Sequence, residues 1–298
     1  MKKILTLSHD SLDVKKIALP ILLFIVFFSA CIIAQENTSH SPYFFIQISD
    51  PQFGMFENNK SFEQEALLYE KTVSHINKLH PDFVVITGDF VHDRNNIAQI
   101  EEFKRITSTI NREIPVYLVP GNHDIGNEPD EQSMSGYIQH YGYDKFSFTH
   151  RGSLFVGFNS GFIKSSNSHK PERDQFEWLK KTLDKNNDKE IKHIVLFCHY
   201  PFFIHTVDEP ETYSNIGIRK RKKYLSFFES AQVNAIFSGH LHKNAQARFG
   251  QIQLITTSAL GKPLGNDPSG FRIVKVFDDR IESNYYGLDH IPDAITFD

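Results

Sequence analysis

The chain has 298 residues, a length that suits one large domain or two small ones, and either arrangement can bury a sizeable core. Its composition, with 40% hydrophobic and 23% charged residues, lacks the biases that mark disordered or fibrous proteins. The formal net charge of −4 argues against an attraction to nucleic acid, which usually requires a basic face. We therefore expect a globular protein with no nucleic-acid partner.

The first 34 residues have the order of an export signal: basic residues, then an apolar run over 17–34 that contains small residues near its end. Cleavage after Ala34 would release a soluble protein. Segment 28–31 is similar to a bacterial lipobox, in which Cys31 would be lipidated and would tether the protein to a membrane. An uncleaved run would anchor the chain in the bilayer. All three alternatives predict export, to the periplasmic or extracellular side or to the outer face of the cytoplasmic membrane.

The remainder of the chain divides into a short polar tether, residues 35–42, and a folded domain, residues 43–298. Apolar runs predict strands over residues 43–48, 83–87, 116–119, 154–158, 191–198 and 235–238. Helices are predicted over residues 61–79, 97–111, 173–183 and 218–229. This alternation predicts an α/β fold with a mainly parallel sheet in the first half. The strand-rich tail from Ala245 onward predicts a second, more antiparallel sheet.

Five of the predicted strands end in polar residues. The five segments are Asp50-Pro51-Gln52, Gly88-Asp89, Gly121-Asn122-His123-Asp124, Cys198-His199 and Gly239-His240-Leu241-His242. Taken singly, most of them would be ordinary turns or buried histidines. In open α/β sheets, however, ligands bind at the carboxyl ends of the strands, where such residues would meet. The five segments together therefore predict one site.

The residue types in these segments suit divalent cations, which take carboxylate, amide and imidazole ligands. Two ions that share a carboxylate can lower the pKa of one water toward neutrality and neutralise the charge of a phosphoryl group. The sequence contains no Cys-based phosphatase loop, Walker loop or Gly-x-Ser-x-Gly segment that would supply a different chemistry. This combination predicts hydrolysis of phosphate esters, in which a hydroxide bridging the two metals attacks phosphorus.

The order of the five segments resembles the signature of the calcineurin-like metallophosphoesterases. This resemblance implies a four-layer α/β/β/α sandwich of two mixed sheets, with two metal ions at the sheet edges. It also implies that Asp89 is the ligand shared by the two ions. One ion would be completed by Asp50, Gln52 and His242. The other would be completed by Asn122, His199 and His240.

The same resemblance implies catalytic roles beside the metals. His123 is similar to the family's catalytic histidine, which contacts the phosphoryl group and protonates the leaving oxygen, and Asp124 would orient its imidazole. His92 occupies the position at which purple acid phosphatases have a metal-binding tyrosine. The resemblance therefore favours Mn, Zn or Fe(II) over an iron–tyrosinate centre. His92 would either face the substrate or hydrogen-bond a neighbouring site residue.

One position departs from the common pattern, because Gln52 stands where most members of the family have histidine. A glutamine oxygen can still coordinate a metal, although more weakly than imidazole. The segment Asp50-Pro51-Gln52-Phe53-Gly54 resembles a branch of the family that includes serine/threonine phosphatases of animals. Further segments at 121–127, 143–148 and 237–245 continue this likeness, which spans almost the whole chain after the signal.

Three functions are consistent with these residues. The first is a phosphomonoesterase that acts on a phosphorylated small molecule or on a phosphoserine or phosphothreonine peptide. The second is a phosphodiesterase or nucleotidase, because sister families use the same metal centre on diesters. The third is a non-catalytic metal-binding protein in which Gln52 leaves one metal site empty. The third is disfavoured, since His123 and every other predicted ligand are present.

Overall fold

A computed structural model describes residues 41–184 and 191–298. The predicted export signal with Cys31 lies outside these described residues, as does the predicted tether up to residue 40. Within the described ranges, no helix combines the length and apolar character needed to cross a bilayer. The described residues belong to one compact unit.

Eleven strands and seven helices alternate along the part of the chain that the structure describes. The strands are β1 (Tyr43–Ile48), β2 (Val84–Thr87), β3 (Val116–Val119), β4 (Phe146–His150), β5 (Ser153–Gly157), β6 (His193–Phe197), β7 (Ala235–Ser238), β8 (Ala245–Phe249), β9 (Ile252–Thr256), β10 (Gly270–Val276) and β11 (Ile281–Gly287). The helices are α1 (Glu63–Leu79), α2 (Ile97–Thr107), α3 (Asn122–Ile125), α4 (Glu131–Tyr141), α5 (Ser160–Lys164), α6 (His169–Leu183) and α7 (Ile218–Ser230).

The strands form two mixed sheets. The first has the order β11-β10-β1-β2-β3, in which β1, β2 and β3 are parallel and the β10–β11 hairpin is antiparallel. The second has the order β4-β5-β6-β7-β9-β8, with four parallel central strands and an antiparallel strand at each edge. Each sheet therefore presents the carboxyl ends of several parallel strands along one edge.

The predicted separate sheet in the tail is wrong. The hairpin of β8 and β9 extends the second sheet, whereas the hairpin of β10 and β11 extends the first. The reason lies in β1, whose six residues are all buried. Such a strand needs hydrogen-bonding partners on both of its edges, and β10 supplies the second partner beside β2.

Three apolar clusters separate four layers. One cluster joins α1 and α2 to the outer face of the first sheet, and another joins α6 and α7 to the outer face of the second. The third lies between the sheets, where the ring of Phe45 stacks on Phe83 at 4.8 Å and meets Phe155 edge-on at 5.6 Å. Along β1, Phe44 faces the helices and Phe45 faces the other sheet, as strand alternation requires. The predicted α/β/β/α sandwich is confirmed.

Several boundaries differ from the predicted ones. Helix α6 begins at His169, four residues before the predicted start, and α2 ends at Thr107, four residues before the predicted end. The elements α3, α4, β4 and α5 were not predicted. Of these, α3 matters most for the site, because the chain turns into a helix directly after β3, at Asn122.

Candidate active site

The carboxyl ends of β1, β2 and β3 from the first sheet face those of β6 and β7 from the second. Two groups of buried side chains meet there, and the potential ligand atoms within each group lie within 4.8 Å of one another. One group is Asp89, His199 and His240, and the other is Asp50, Asp89 and His242. Asp89 belongs to both groups, so its carboxylate is placed to bridge two cations.

The backbone is unusual at these strand ends. Five of the predicted ligands have positive φ angles, which non-glycine residues rarely adopt: Asp50 (50°), Gln52 (40°), Asp89 (51°), His240 (70°) and His242 (53°). Strained residues of this kind cluster at functional sites, where the surrounding structure stabilises them.

Two glycines permit the close approach of neighbouring strand ends. A Cβ atom at Gly121 would collide with the backbone and carboxylate of Asp89, and one at Gly239 would collide with the hydroxyl of Ser49. Both positions therefore require glycine for steric reasons. Their contacts pack the end of β3 against the end of β2, and the end of β7 against the end of β1.

Each predicted histidine ligand has one ring nitrogen within hydrogen-bonding distance of a backbone carbonyl oxygen. The pairs are His199 Nδ1 with Thr87 O at 2.9 Å, His242 Nδ1 with Lys262 O at 2.6 Å and His240 Nε2 with Tyr213 O at 3.3 Å. A carbonyl oxygen only accepts hydrogen bonds, so that ring nitrogen carries the hydrogen. In the neutral imidazole, the other nitrogen then presents a lone pair to the site, as a metal-binding histidine requires.

The remaining ring nitrogens of His199 and His242 face carboxylates, whereas that of His240, Nδ1, lies 3.2 Å from His199 Nε2. His199 Nε2 lies 3.4 Å from Asp89 Oδ2, and His242 Nε2 lies 3.4 Å from Asp50 Oδ1. Burial alone would lower the pKa of His199, but the charge and hydrogen bond of Asp89, together with the charge of Asp50 and the carbonyl of Thr87, outweigh burial and raise this pKa to about 9. Burial would raise the pKa of Asp89, yet the charge and hydrogen bond of His199, with smaller contributions from His123 and His240, hold it below its usual value. An imidazole nitrogen that faces a carboxylate in this way either carries a proton or binds a cation that the two groups share.

Gln52 is 1% exposed, and its side-chain oxygen has no hydrogen-bond partner among residues 41–184 and 191–298. The amide nitrogen of the same side chain lies 3.2 Å from His92 Nδ1. A buried oxygen without a partner is energetically unfavourable unless it accepts a hydrogen bond from a ligand or coordinates a metal ion. The oxygen of Gln52 therefore fits a metal ligand, as do the carboxylates and imidazoles beside it.

His123 and His92 lie side by side next to the two groups. Their rings stack with centroids 4.8 Å apart, and His123 Nδ1 lies 2.7 Å from the carbonyl oxygen of His92. This contact leaves His123 Nε2 available to a substrate. Both histidines line a pocket of about 330 Å³ that also includes Asn122 and Tyr213. His92 lies within hydrogen-bonding distance of Gln52 and also lines the pocket, so both predicted roles stay predictions.

Asp124 does not orient the imidazole of His123, and this predicted contact is wrong. Its carboxylate instead accepts hydrogen bonds from the backbone N–H groups of Asp89 and Gly121, both at 2.8 Å, and of Phe90 at 2.9 Å. The reason is the position of Asp124 in α3, where a side chain at the third residue reaches back to the N-cap. Asp124 therefore joins the turn after β2 to the turn after β3.

We expect the variant Asp124→Ala to destabilise the protein strongly. It would leave three buried N–H groups without an acceptor, and the free energy of unfolding should fall by about 3 kcal/mol or more. Denaturant unfolding of the metal-free protein measures this change. Asp130→Ala is the control, since Asp130 is an exposed N-cap of α4 that water can replace. Equal losses in the two variants would contradict the structural role of Asp124.

Tyr213 is a site residue that sequence analysis did not single out. Its hydroxyl accepts a hydrogen bond from Asn122 Nδ2 at 3.0 Å, and its ring centroid lies 4.8 Å from that of His240. The oxygen of the same amide, Asn122 Oδ1, lies 3.1 Å from His199 Nε2. No local motif marks Tyr213, because its partners are distant in sequence.

Comparisons with known proteins identify the family of this chain. Residues 45–244 match the family model of the calcineurin-like phosphoesterases. The chain is 35% identical to the serine/threonine-protein phosphatases CPPED1 of Pongo abelii and of Homo sapiens, over 86% of this chain and 87% of each relative. A dimetal phosphatase from Danio rerio has a similar structure, with a TM-score of 0.61 and 16% identity over 83% of this chain and 96% of that one.

The likeness of fold extends to the purple acid phosphatase PPD1 of yellow lupin, with a TM-score of 0.63 and 14% identity over 85% of this chain and 52% of that one. The family match and the identity to the CPPED1 phosphatases cover most of the chain. The two buried groups that share Asp89 agree with the family's need for two metals. The resemblance seen in the sequence is confirmed. The chain belongs to the calcineurin-like phosphoesterase family and is a metal-dependent phosphoesterase.

Proposed function

We propose that the enzyme hydrolyses phosphate monoesters at a centre of two divalent cations. The observation that carries this proposal is the pair of buried groups sharing the Asp89 carboxylate. The proposed ligands are Asp50, Gln52, Asp89, Asn122, His199, His240 and His242. When bound, Mn, Zn or Fe ions would activate water as the nucleophile and neutralise the charge of the phosphoryl oxygens.

We propose that His123 contacts the phosphoryl group and donates a proton to the leaving oxygen. Two contacts support this role: its Nδ1 is close to the carbonyl oxygen of His92, and its backbone N–H donates to Asp89 Oδ1 at 2.8 Å. The imidazole is thereby fixed beside the bridging carboxylate without belonging to either potential ligand group. General acid catalysis by a positioned side chain typically contributes about 10²- to 10⁴-fold to the rate.

Arg94 supports monoesters over diesters. It lines the same pocket as His123, and its charge suits the second negative charge that distinguishes a monoester dianion from a diester. A groove of about 950 Å³ begins at this arginine and runs along α4. Tyr137 and Tyr141 line this groove, and their buried hydroxyls have no hydrogen-bond partner among the described residues.

The groove favours a substrate larger than a simple ester, so we propose phosphoserine and phosphothreonine peptides as a second candidate class. The names of the CPPED1 relatives support the same class.

We also propose that the enzyme acts outside the cytoplasm. This proposal rests on the basic, apolar and small residues of segment 1–34. That location would favour phosphorylated small molecules, and direct assay decides between the two classes.

The proposed function is tested with the purified protein after metal removal by a chelator. We expect no turnover of p-nitrophenyl phosphate in the metal-free protein, and recovery on addition of Mn(II), Zn(II) or Fe(II). The reconstituted enzyme is then compared on alkyl monoesters, a phosphothreonine peptide, a 5′-nucleotide and bis-p-nitrophenyl phosphate. Faster turnover of the diester would favour a phosphodiesterase, and preference for the nucleotide would favour a nucleotidase. Inactivity on all substrates with every metal would disprove the proposal.

A further inference from the structure

We infer that Tyr213 is a substrate-contacting residue whose phenolic hydroxyl donates a hydrogen bond to a phosphoryl oxygen of the bound ester. This inference rests on the proposed function and assigns a new residue to the same site. Tyr213 is 57% exposed, yet its polar end meets the predicted ligand Asn122 and its ring packs on His240. Few large aromatic side chains of the described residues are this exposed, and this one lines the catalytic pocket.

The hydrogen-bond pattern leaves the proton of Tyr213 unused. The Asn122 amide is oriented with its oxygen 3.1 Å from His199 Nε2, so its nitrogen donates to the phenol. A phenol that accepts one hydrogen bond still has its own O–H group to donate. Among residues 41–184 and 191–298, Asn122 is the only hydrogen-bond partner of this hydroxyl, which belongs to a largely exposed side chain. A phosphoryl oxygen in the pocket would accept a hydrogen bond from it.

The segment that carries Tyr213 is fixed on both sides. Lys164 Nζ donates to the carbonyl oxygens of Thr212 at 2.6 Å and Asn215 at 2.9 Å, and these residues flank Tyr213. The Asn215 side-chain amide also donates to the Glu209 carboxylate at 2.6 Å. These bonds hold the backbone around Tyr213 without help from a substrate.

A buried arginine reinforces the same segment. Arg221 is 0% exposed, and its guanidinium group donates to the backbone carbonyl oxygens of Val207 at 2.7 Å, Glu209 at 2.8 Å and Ile216 at 2.8 Å. A buried charge is tolerated only when it is satisfied in this way. The phenol is therefore preorganised over the site, and a preorganised donor stabilises charge on a phosphoryl oxygen more effectively than a mobile one.

The variant Tyr213→Phe tests this assignment, because it keeps the ring on His240 and removes only the hydroxyl. In the metal-loaded full-length protein, we expect kcat/KM for p-nitrophenyl phosphate to fall about 10- to 100-fold. We expect the Kd for inorganic phosphate, measured by calorimetry, to rise about 10-fold. Metal content should stay at the wild-type value. The control is Tyr285→Phe. The hydroxyl of Tyr285 donates to Pro268 O at 2.7 Å outside this pocket, so its removal should change neither kcat/KM nor the Kd for phosphate.

Unchanged phosphate affinity and turnover in Tyr213→Phe would overturn the inference. Loss of metal from this variant, with turnover restored by excess metal, would also overturn it, because Tyr213 would then act only by holding Asn122. A wild-type protein that turns over no phosphate ester would disprove the proposed function separately. In that case, the phosphate affinities of the wild-type protein and of Tyr213→Phe would still decide whether Tyr213 contacts the anion.

Discussion

Replacing Asp89 with alanine is expected to abolish hydrolysis of p-nitrophenyl phosphate and to lower the metal content of the purified protein. The Asp89 carboxylate belongs to both potential ligand groups and accepts a hydrogen bond from the backbone N–H of His123. Its removal would leave His199 without the carboxylate charge that raises its pKa. We expect kcat/KM to fall by roughly 10³-fold or more, as measured by steady-state kinetics and elemental analysis of the same preparations.

A matched control for this loss is Asp174→Ala. Asp174 lies exposed on α6 and pairs with Lys170 and Arg173, so its removal should leave metal content and turnover at wild-type values. The variant Asp89→Asn keeps the size of the buried side chain and separates loss of charge from loss of packing. Turnover and full metal content in both Asp89 variants would disprove the shared site.

Replacing His123 with alanine is expected to lower kcat by about 10²- to 10⁴-fold while both metals stay bound. The side chain belongs to neither ligand group, and the carbonyl oxygen of His92 positions its ring. The leaving group makes the test sharper. If His123 protonates the leaving oxygen, the loss should be greater with an alkyl monoester, whose alkoxide is a poor leaving group, than with p-nitrophenyl phosphate.

The control for His123 is His169→Ala at the exposed start of α6, which should keep wild-type kcat with both substrates. Two outcomes would change the assignment. Loss of metal from His123→Ala would place this imidazole among the ligands. An equal loss of kcat with both leaving groups would remove its role as an acid and leave only a contact with the phosphoryl group.

The location of the site could be predicted from sequence because its signals are local. Apolar runs that stop at Asp50, Asp89, Asn122, His199 and His240 predict strand ends, and the carboxyl ends of parallel strands meet along one edge. The structure has that arrangement. The α/β alternation of the first half was equally readable, since helices and strands differ in the period of their apolar residues.

Long-range contacts could not be predicted in this way. The partner of β1 on its second edge is β10, which lies more than 200 residues away, and nothing in the apolar pattern of either strand specifies the other. The same limit applies to Tyr213 and Asn122, which touch only in the folded chain. Asp124 and His123 are adjacent in sequence, so a contact between them is a natural expectation. The direction of the Asp124 side chain, however, depends on α3, a helix too short to be recognised from its sequence.

The pairing of β1 with β10 also limits how early the first sheet can be completed during synthesis of the chain. Asp50 directly follows β1, and β1 is completed only by a strand that begins at Gly270. This pairing can form only after the ribosome has made the residues of β10, Gly270–Val276. Contacts between such distant segments slow folding, because a long loop must close first. We therefore expect the sheet that positions Asp50 to be completed only after β10 has emerged from the ribosome.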